Sequence, residues 1–145
     1  MATTLAKPGS TTGTAVTGGA TAAAAQPKHK EWQRWNTVGA DASATVLYQD
    51  SSGWLDLSSV VSIRITSHIA YAGGSAGLTL QTSNSPDGPW STVNATALDT
   101  VGKVVLVVSS LSSNETYKAR RYLRWSVSGG SANWEICFRF TYEVL

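Results

Sequence analysis

From residue 134 to residue 144 the chain alternates without a break. Trp134, Ile136, Phe138, Phe140, Tyr142 and Val144 share one parity, while Glu135, Cys137, Arg139, Thr141 and Glu143 share the other. A period of two sustained this long describes an extended strand with one face on a core and one in water, and no amphipathic helix reproduces it. The same scheme returns upstream. Val61, Ile63, Ile65 and Ile69 oppose Arg64, Thr66 and His68, and Leu123, Trp125 and Val127 oppose Arg124 and Ser126. Leu78 and Leu80 mark a further strand, residues 104–108 form an unbroken apolar run expected to be buried on both faces, and shorter strands are expected within 44–49, 54–57 and 90–94.

Turn signals separate these runs: Asp50-Ser51-Ser52-Gly53, Gly73-Gly74-Ser75, Ser85-Pro86-Asp87-Gly88-Pro89, Ser112-Ser113-Asn114 and Ser128-Gly129-Gly130. About eight short strands at this spacing predict an all-β, antiparallel β-sandwich of the jelly-roll or immunoglobulin-like kind over residues 37–145. The single cysteine, Cys137, forms no intramolecular disulfide, so the fold stands on packing. Residues 1–10 lack the apolar run of a signal peptide and no stretch is long enough to span a membrane, which predicts a product made in the cytoplasm.

Residues 1–27 differ in kind. They are almost wholly Ala, Thr and Gly, with no aromatic and no acidic residue. Ordering backbone costs about 1–2 kcal/mol per residue, and such side chains have little apolar area with which to offset it. Residues 1–36 are therefore expected to be a flexible, low-complexity N-terminal arm, either a solvated tail or linker or a segment that orders along a neighbouring subunit. At its end, Lys28-His29-Lys30-Glu31-Trp32-Gln33-Arg34-Trp35 combines basic charge with two tryptophans. They serve either as an interface anchor or as a seal on the base of the sandwich. Stacking on single-stranded nucleic acid is the weaker reading, because one short cluster is not a tracking groove. The net charge of +2 does not build the field of a nucleic-acid binder.

Catalytic and metal-binding constellations are not found in the sequence. Gly73-Gly74-Ser75-Ala76-Gly77 matches the G-x-S-x-G nucleophile elbow in letters, but it lies between two strands and reads as a loop. His29 and His68 are isolated, and Cys137 has no histidine beside it in sequence. Asp41, Asp50, Asp56, Asp87 and Asp99 fall in turn or strand-end contexts where carboxylates cap backbone groups, with calcium at Asp87 the remaining alternative. The sequons at Asn94 and Asn114 read as chance. Lys118, Arg120, Arg121 and Arg124 form the strongest basic cluster, either solvated or paired with Glu115 and Glu135, or free to dock on an acidic protein surface or on phosphate. No enzymatic activity, cofactor or metal is expected.

Leu80-Gln81-Thr82-Ser83-Asn84-Ser85-Pro86-Asp87-Gly88-Pro89-Trp90, followed by Ala119-Arg120-Arg121-Tyr122-Leu123-Arg124-Trp125, resembles discoidin-like jelly rolls and the small β-sandwich structural proteins of tailed bacteriophages. Pro-Asp-Gly is first a turn, and Trp90 is first expected as a core residue opening the next strand. The discoidin resemblance implies glycan binding, for which Trp54, Trp90 and Tyr71 are the candidates. The phage resemblance implies a capsid decoration or cement protein on the virion surface, often trimeric, whose partners are the major capsid protein or copies of itself rather than nucleic acid or membrane. The partner-binding residues expected on that reading are Lys7, Lys28, Lys30, Trp32, Arg34, Trp35, Arg120 and Arg121.

Overall fold

A computed structural model describes residues 29–41, 45–93, 98 and 100–145. Nine strands follow one another: β1 (Lys30–Ala40), β2 (Val46–Tyr48), β3 (Leu55–Asp56), β4 (Ser62–Gly73), β5 (Ala76–Ser83), β6 (Ser91–Thr92), β7 (Gly102–Ser109), β8 (Tyr122–Gly129) and β9 (Trp134–Val144). They form two antiparallel sheets. The front sheet has the order β1-β9-β4-β7; the back sheet runs β2-β8-β5-β6, with β3 also pairing β8. With β2 and β3 taken as one interrupted strand, this is the jelly-roll order, which decides between the two sandwich types expected.

The alternation sets the core. Trp134, Ile136, Phe138 and Phe140 of β9 are buried, as are Ile63, Ile65 and Ile69 of β4, Leu78 and Leu80 of β5, and Leu123, Trp125 and Val127 of β8. Trp125 and Phe138 meet edge to face across the sheets at 5.0 Å, and Phe138 meets Phe140 at 5.7 Å. Gly74 and Ser75 take positive φ values of 69° and 56° in the tight β4–β5 hairpin, the left-handed pair that matches strand twist. The nucleophile-elbow match is thus a hairpin tip.

Three expectations are corrected. The run 104–108 is buried on one face only: Leu106 and Val108 point inward, while Val105 and Val107 are 54% and 43% exposed. The reason is that these two valines point to the outer face of the front sheet, on which no other layer of the described residues packs. Trp90 is not a core residue; it is half-buried outside the back sheet, against Trp54. Finally, β1 crosses the expected boundary at 36/37. Residues 30–36 belong to the sandwich as its front-sheet edge, paired with β9 from Lys30 opposite Tyr142 to Ala40 opposite Trp134. The sequence stretch expected to be an arm lies, for residues 1–28, outside the described residues.

The two register shifts within β1, between Glu31 and Gln33 and between Gln33 and Asn36, let neighbouring side chains turn the same way. Trp32 packs on Phe140 at 5.0 Å and its Nε1–H donates to the Gly53 carbonyl at 2.8 Å. Gln33 accepts from Trp125 Nε1 at 3.2 Å. Both contacts fasten the first strand to the back-sheet side of the molecule. The buried Gln49 completes the join, donating to the same Gly53 carbonyl and accepting from the Trp125 backbone N–H.

Candidate functional site

The expected partner-binding residues are not one constellation. Lys7 and Lys28 lie outside the described residues. Lys30 and Arg34 are exposed on β1, where Arg34 pairs with Glu31 at 3.7 Å. Trp32 turns inward as a seal. Trp35 turns outward, 49% exposed, and stacks on His68 at 6.0 Å on the front-sheet surface. Arg120 and Arg121 sit at one end of the sandwich, in the stretch that leads into β8.

That end holds a groove of about 570 Å³, lined by Leu57, Val60, Ser110, Lys118, Arg120 and Arg121 among others. Local hydrogen bonds shape its walls. Asn114 caps a 3₁₀ turn at Glu115–Tyr117 by accepting from the Thr116 N–H, which presents Glu115 to the two cations that follow. Arg120 Nη2 donates to Glu115, and Lys118 Nζ lies 3.8 Å from the same carboxylate. The Arg120 hydrogen bond first, and the charges of Arg120 and Lys118 after it, hold the Glu115 carboxyl below its ordinary value. Arg121 pairs with Asp56 at 3.5 Å between half-exposed side chains.

One atom in this network lacks a partner. Arg120 Nη1 is buried with no acceptor. A buried donor left unpaired costs about 1–3 kcal/mol or more when it carries charge, so it marks a place where an acceptor is wanted. Around the groove, apolar side chains stand in water. Val61 adjoins Val60 and is 53% exposed, and Leu111 adjoins Ser110 and is 80% exposed. The two are tied by the Ser110 N–H bond to the Val61 carbonyl. Val144, opposite Ile63 at the same end of the front sheet, is 51% exposed. An incompletely paired arginine at the same end of the sandwich as exposed aliphatic side chains is the composition of an interface, and aliphatic exposure on this scale marks protein contact sites. The signal for Val61 and Leu111 was present in the sequence only as apolar residues flanking turns.

A second cluster covers the outside of the back sheet. The Arg124 guanidinium lies 3.9 Å from the Trp90 ring centre and 4.3 Å from that of Tyr48. Trp54 meets Trp90 edge-on at 4.8 Å and Tyr122 at 6.0 Å. Arg124 Nε donates to Gln81 across the β5–β8 pair at 2.9 Å. Burial among the rings draws the Arg124 pKa below its ordinary value, with Tyr48 opposing the change. Sequence reasoning named Trp54 and Trp90; the structure joins them to Tyr48, Tyr122 and Arg124. Tyr71 is elsewhere, on β4 opposite Cys137.

Among the described residues no group of three or more His, Cys, Asp or Glu side chains is placed to hold a metal ion. Asp50 accepts from the Ser52 N–H and Asp56 from the Ser58 N–H, the capping role expected of both. No protein-family model and no curated protein matches the chain. Among solved structures, a chain from the disulfide-linked pili of Bacillus endospore appendages is similar at 15% identity, with a TM-score of 0.41 over 83% of this chain and 92% of that one. That neighbour is a pilus protein and not a phage decoration protein, and at this level it is a distant likeness in strand arrangement.

Proposed function

We propose that this chain is a non-catalytic structural protein of a virion, a decoration protein that holds to the major capsid protein through the end groove, with residues preceding β1 as its tether. Arg120 carries the reading: its buried Nη1 is unpaired in the end groove, and the residues next in sequence to the lining Val60 and Ser110 are the exposed Val61 and Leu111. A partner that supplies a carbonyl or carboxylate to that nitrogen while covering the two aliphatic side chains removes both defects at once. Each copy need bind only modestly. Repetition over a symmetric shell multiplies a weak contact into a firm hold, and the low-complexity N-terminal segment can add main-chain hydrogen bonds along a neighbour. The jelly roll serves viral shells and lectins alike, so the fold does not choose between them.

The test is co-sedimentation of the full chain with undecorated capsids of its source virus. Saturable binding that Leu111→Asp and Arg120→Gln each weaken, with unchanged melting temperatures, is the expected result. Binding that neither variant alters would overturn the groove as the contact.

The aromatic cluster favours a second reading, a carbohydrate-binding module of a phage tail or secreted enzyme. Trp90, Trp54 and Tyr48 lie together on one sheet face, as sugar stacking requires. Saturable binding on a glycan panel, lost in Trp90→Ala and absent for capsids, would put this reading first.

A further inference from the structure

We infer that the outer face of the front sheet carries a binding site for a tetrahedral oxyanion, phosphate or sulfate in kind, centred on Arg139. Three basic side chains lie side by side across three strands there. His68 of β4 is directly opposite Lys103 of β7 on one side and Arg139 of β9 on the other. Adjacent strands are about 4.8 Å apart, so the Lys103 ammonium and the Arg139 guanidinium flank the His68 imidazole on one sheet face. His29, just before β1, reaches the same place, and the four line a depression of about 280 Å³ with Thr66 and Thr141.

The lining is one-sided in chemistry. It offers cationic or N–H donors from four residues and two hydroxyls, and no carboxylate among the described residues lines it. The neighbouring acids are engaged elsewhere: Glu143 accepts from Arg64 at 2.6 Å, and Glu31, opposite Thr141 in register, pairs with Arg34. Arg139 itself supplies the second observation. Its Nε is buried and has no acceptor. Trp35 fixes the ring side of the site, with the Arg139 guanidinium 5.7 Å from its centre and the His68 imidazole stacked on it. A guanidinium with its edge free and its plane held is preorganised for the parallel N–H bonds that phosphate and sulfate accept, and hydroxyls and an ammonium complete a tetrahedral set of donors. An anion here bridges the charges of Lys103 and Arg139 on either side of His68 and accepts from the buried Arg139 Nε.

Full-length protein titrated with inorganic phosphate, and separately with sulfate, is followed by NMR on the arginine Nε–Hε and tryptophan indole signals. The Arg139 Nε–Hε signal is expected to shift saturably, with Trp35 moving in parallel. Chloride at equal ionic strength is expected to leave both in place. Arg139→Gln should weaken binding about tenfold or more, as should Lys103→Gln, whose exposed side chain makes the variant safe for folding. Arg64→Gln, on the same face but already paired with Glu143, should leave the affinity unchanged. Phenyl phosphate distinguishes the source: binding as tight as that of phosphate points to an esterified group on a larger molecule, and weaker saturable binding to the free anion. A shift that chloride reproduces, or that survives Lys103→Gln at full affinity, overturns the site.

Discussion

Trp32 and Trp35 are three residues apart in one strand, and the structure gives them opposite tasks, so their alanine variants should part company. Trp32 is half-buried on Phe140 and its indole N–H bonds the Gly53 carbonyl. Removing about 100–120 Å² of apolar contact at about 25 cal/mol per Å² costs roughly 3 kcal/mol. Loss of the hydrogen bond adds no more than about 1 kcal/mol, because Gln49 still donates to the same carbonyl. For a domain of this size, about 4 °C per kcal/mol turns the sum into a fall of roughly 12–16 °C in melting temperature for Trp32→Ala. Trp32→Phe keeps the ring contact and should fall by about 4 °C. Trp35→Ala removes a surface stack and should cost below about 1 kcal/mol. Thermal denaturation followed by circular dichroism on the three variants is sufficient. Equal losses for Trp35→Ala and Trp32→Ala, or a loss under about 4 °C for Trp32→Ala, would refute the placement of residues 30–36 in the folded body.

Gly129→Ala should be among the most damaging small changes in the chain, since a methyl there overlaps the indole of Trp134, which is 1% exposed; about 3 kcal/mol of destabilisation in urea is expected, and a variant within 1 kcal/mol of the parent would contradict the packing. Glu115→Gln should flatten the acid limb of stability. The folded carboxyl lies below its ordinary value of 4.5, so its contribution is present above that pH and fades as pH falls through the lowered folded value. The melting-temperature gap between parent and Glu115→Gln should therefore be open at pH 7 and close below about pH 4.5; a gap that widens on acidification would reverse the assignment. Asp56→Asn should behave likewise, because the Ser58 N–H bond is the largest cause of its lowered pKa and Arg121 adds to it.

Much of the fold was legible because one-sided strands leave a parity signature. β9, β4 and β8 each show it, and most of their inward residues are buried, whereas Val61 and Val144 at the strand ends stand in water and Tyr142 is half-buried. The valines of β7 misled for a physical reason: a strand with Val105 and Val107 on an open sheet face has the same letters as a strand buried twice. Sequence alone could not assign Trp32 and Trp35, because bulges in β1 shift parity within the strand. Arg120 and Arg121 were found as charge, but the exposed Val61 and Leu111 at the same end became visible only when the loops were brought together. The basic row of His68, Lys103 and Arg139 was the least legible. Its members are far apart in the chain, and strand register alone makes them neighbours.

The same register separates the two readings of function. In the back-sheet cluster, the Arg124 guanidinium already occupies one face of Trp90 and one of Tyr48, and Gln81 accepts its Nε–H. That arrangement is satisfied within the chain, and a sugar ring would have to displace Arg124 or use the remaining ring faces. In the end groove the reverse holds. Arg120 spends one nitrogen on Glu115 and keeps another buried and unpaired, at the same end of the sandwich as aliphatic side chains that lose nothing by being covered. A binding partner there adds interactions that the isolated fold lacks, whereas a ligand on the aromatic face must first compete with one. That difference in starting state is why the end groove, rather than the larger group of aromatic rings, carries the proposed attachment.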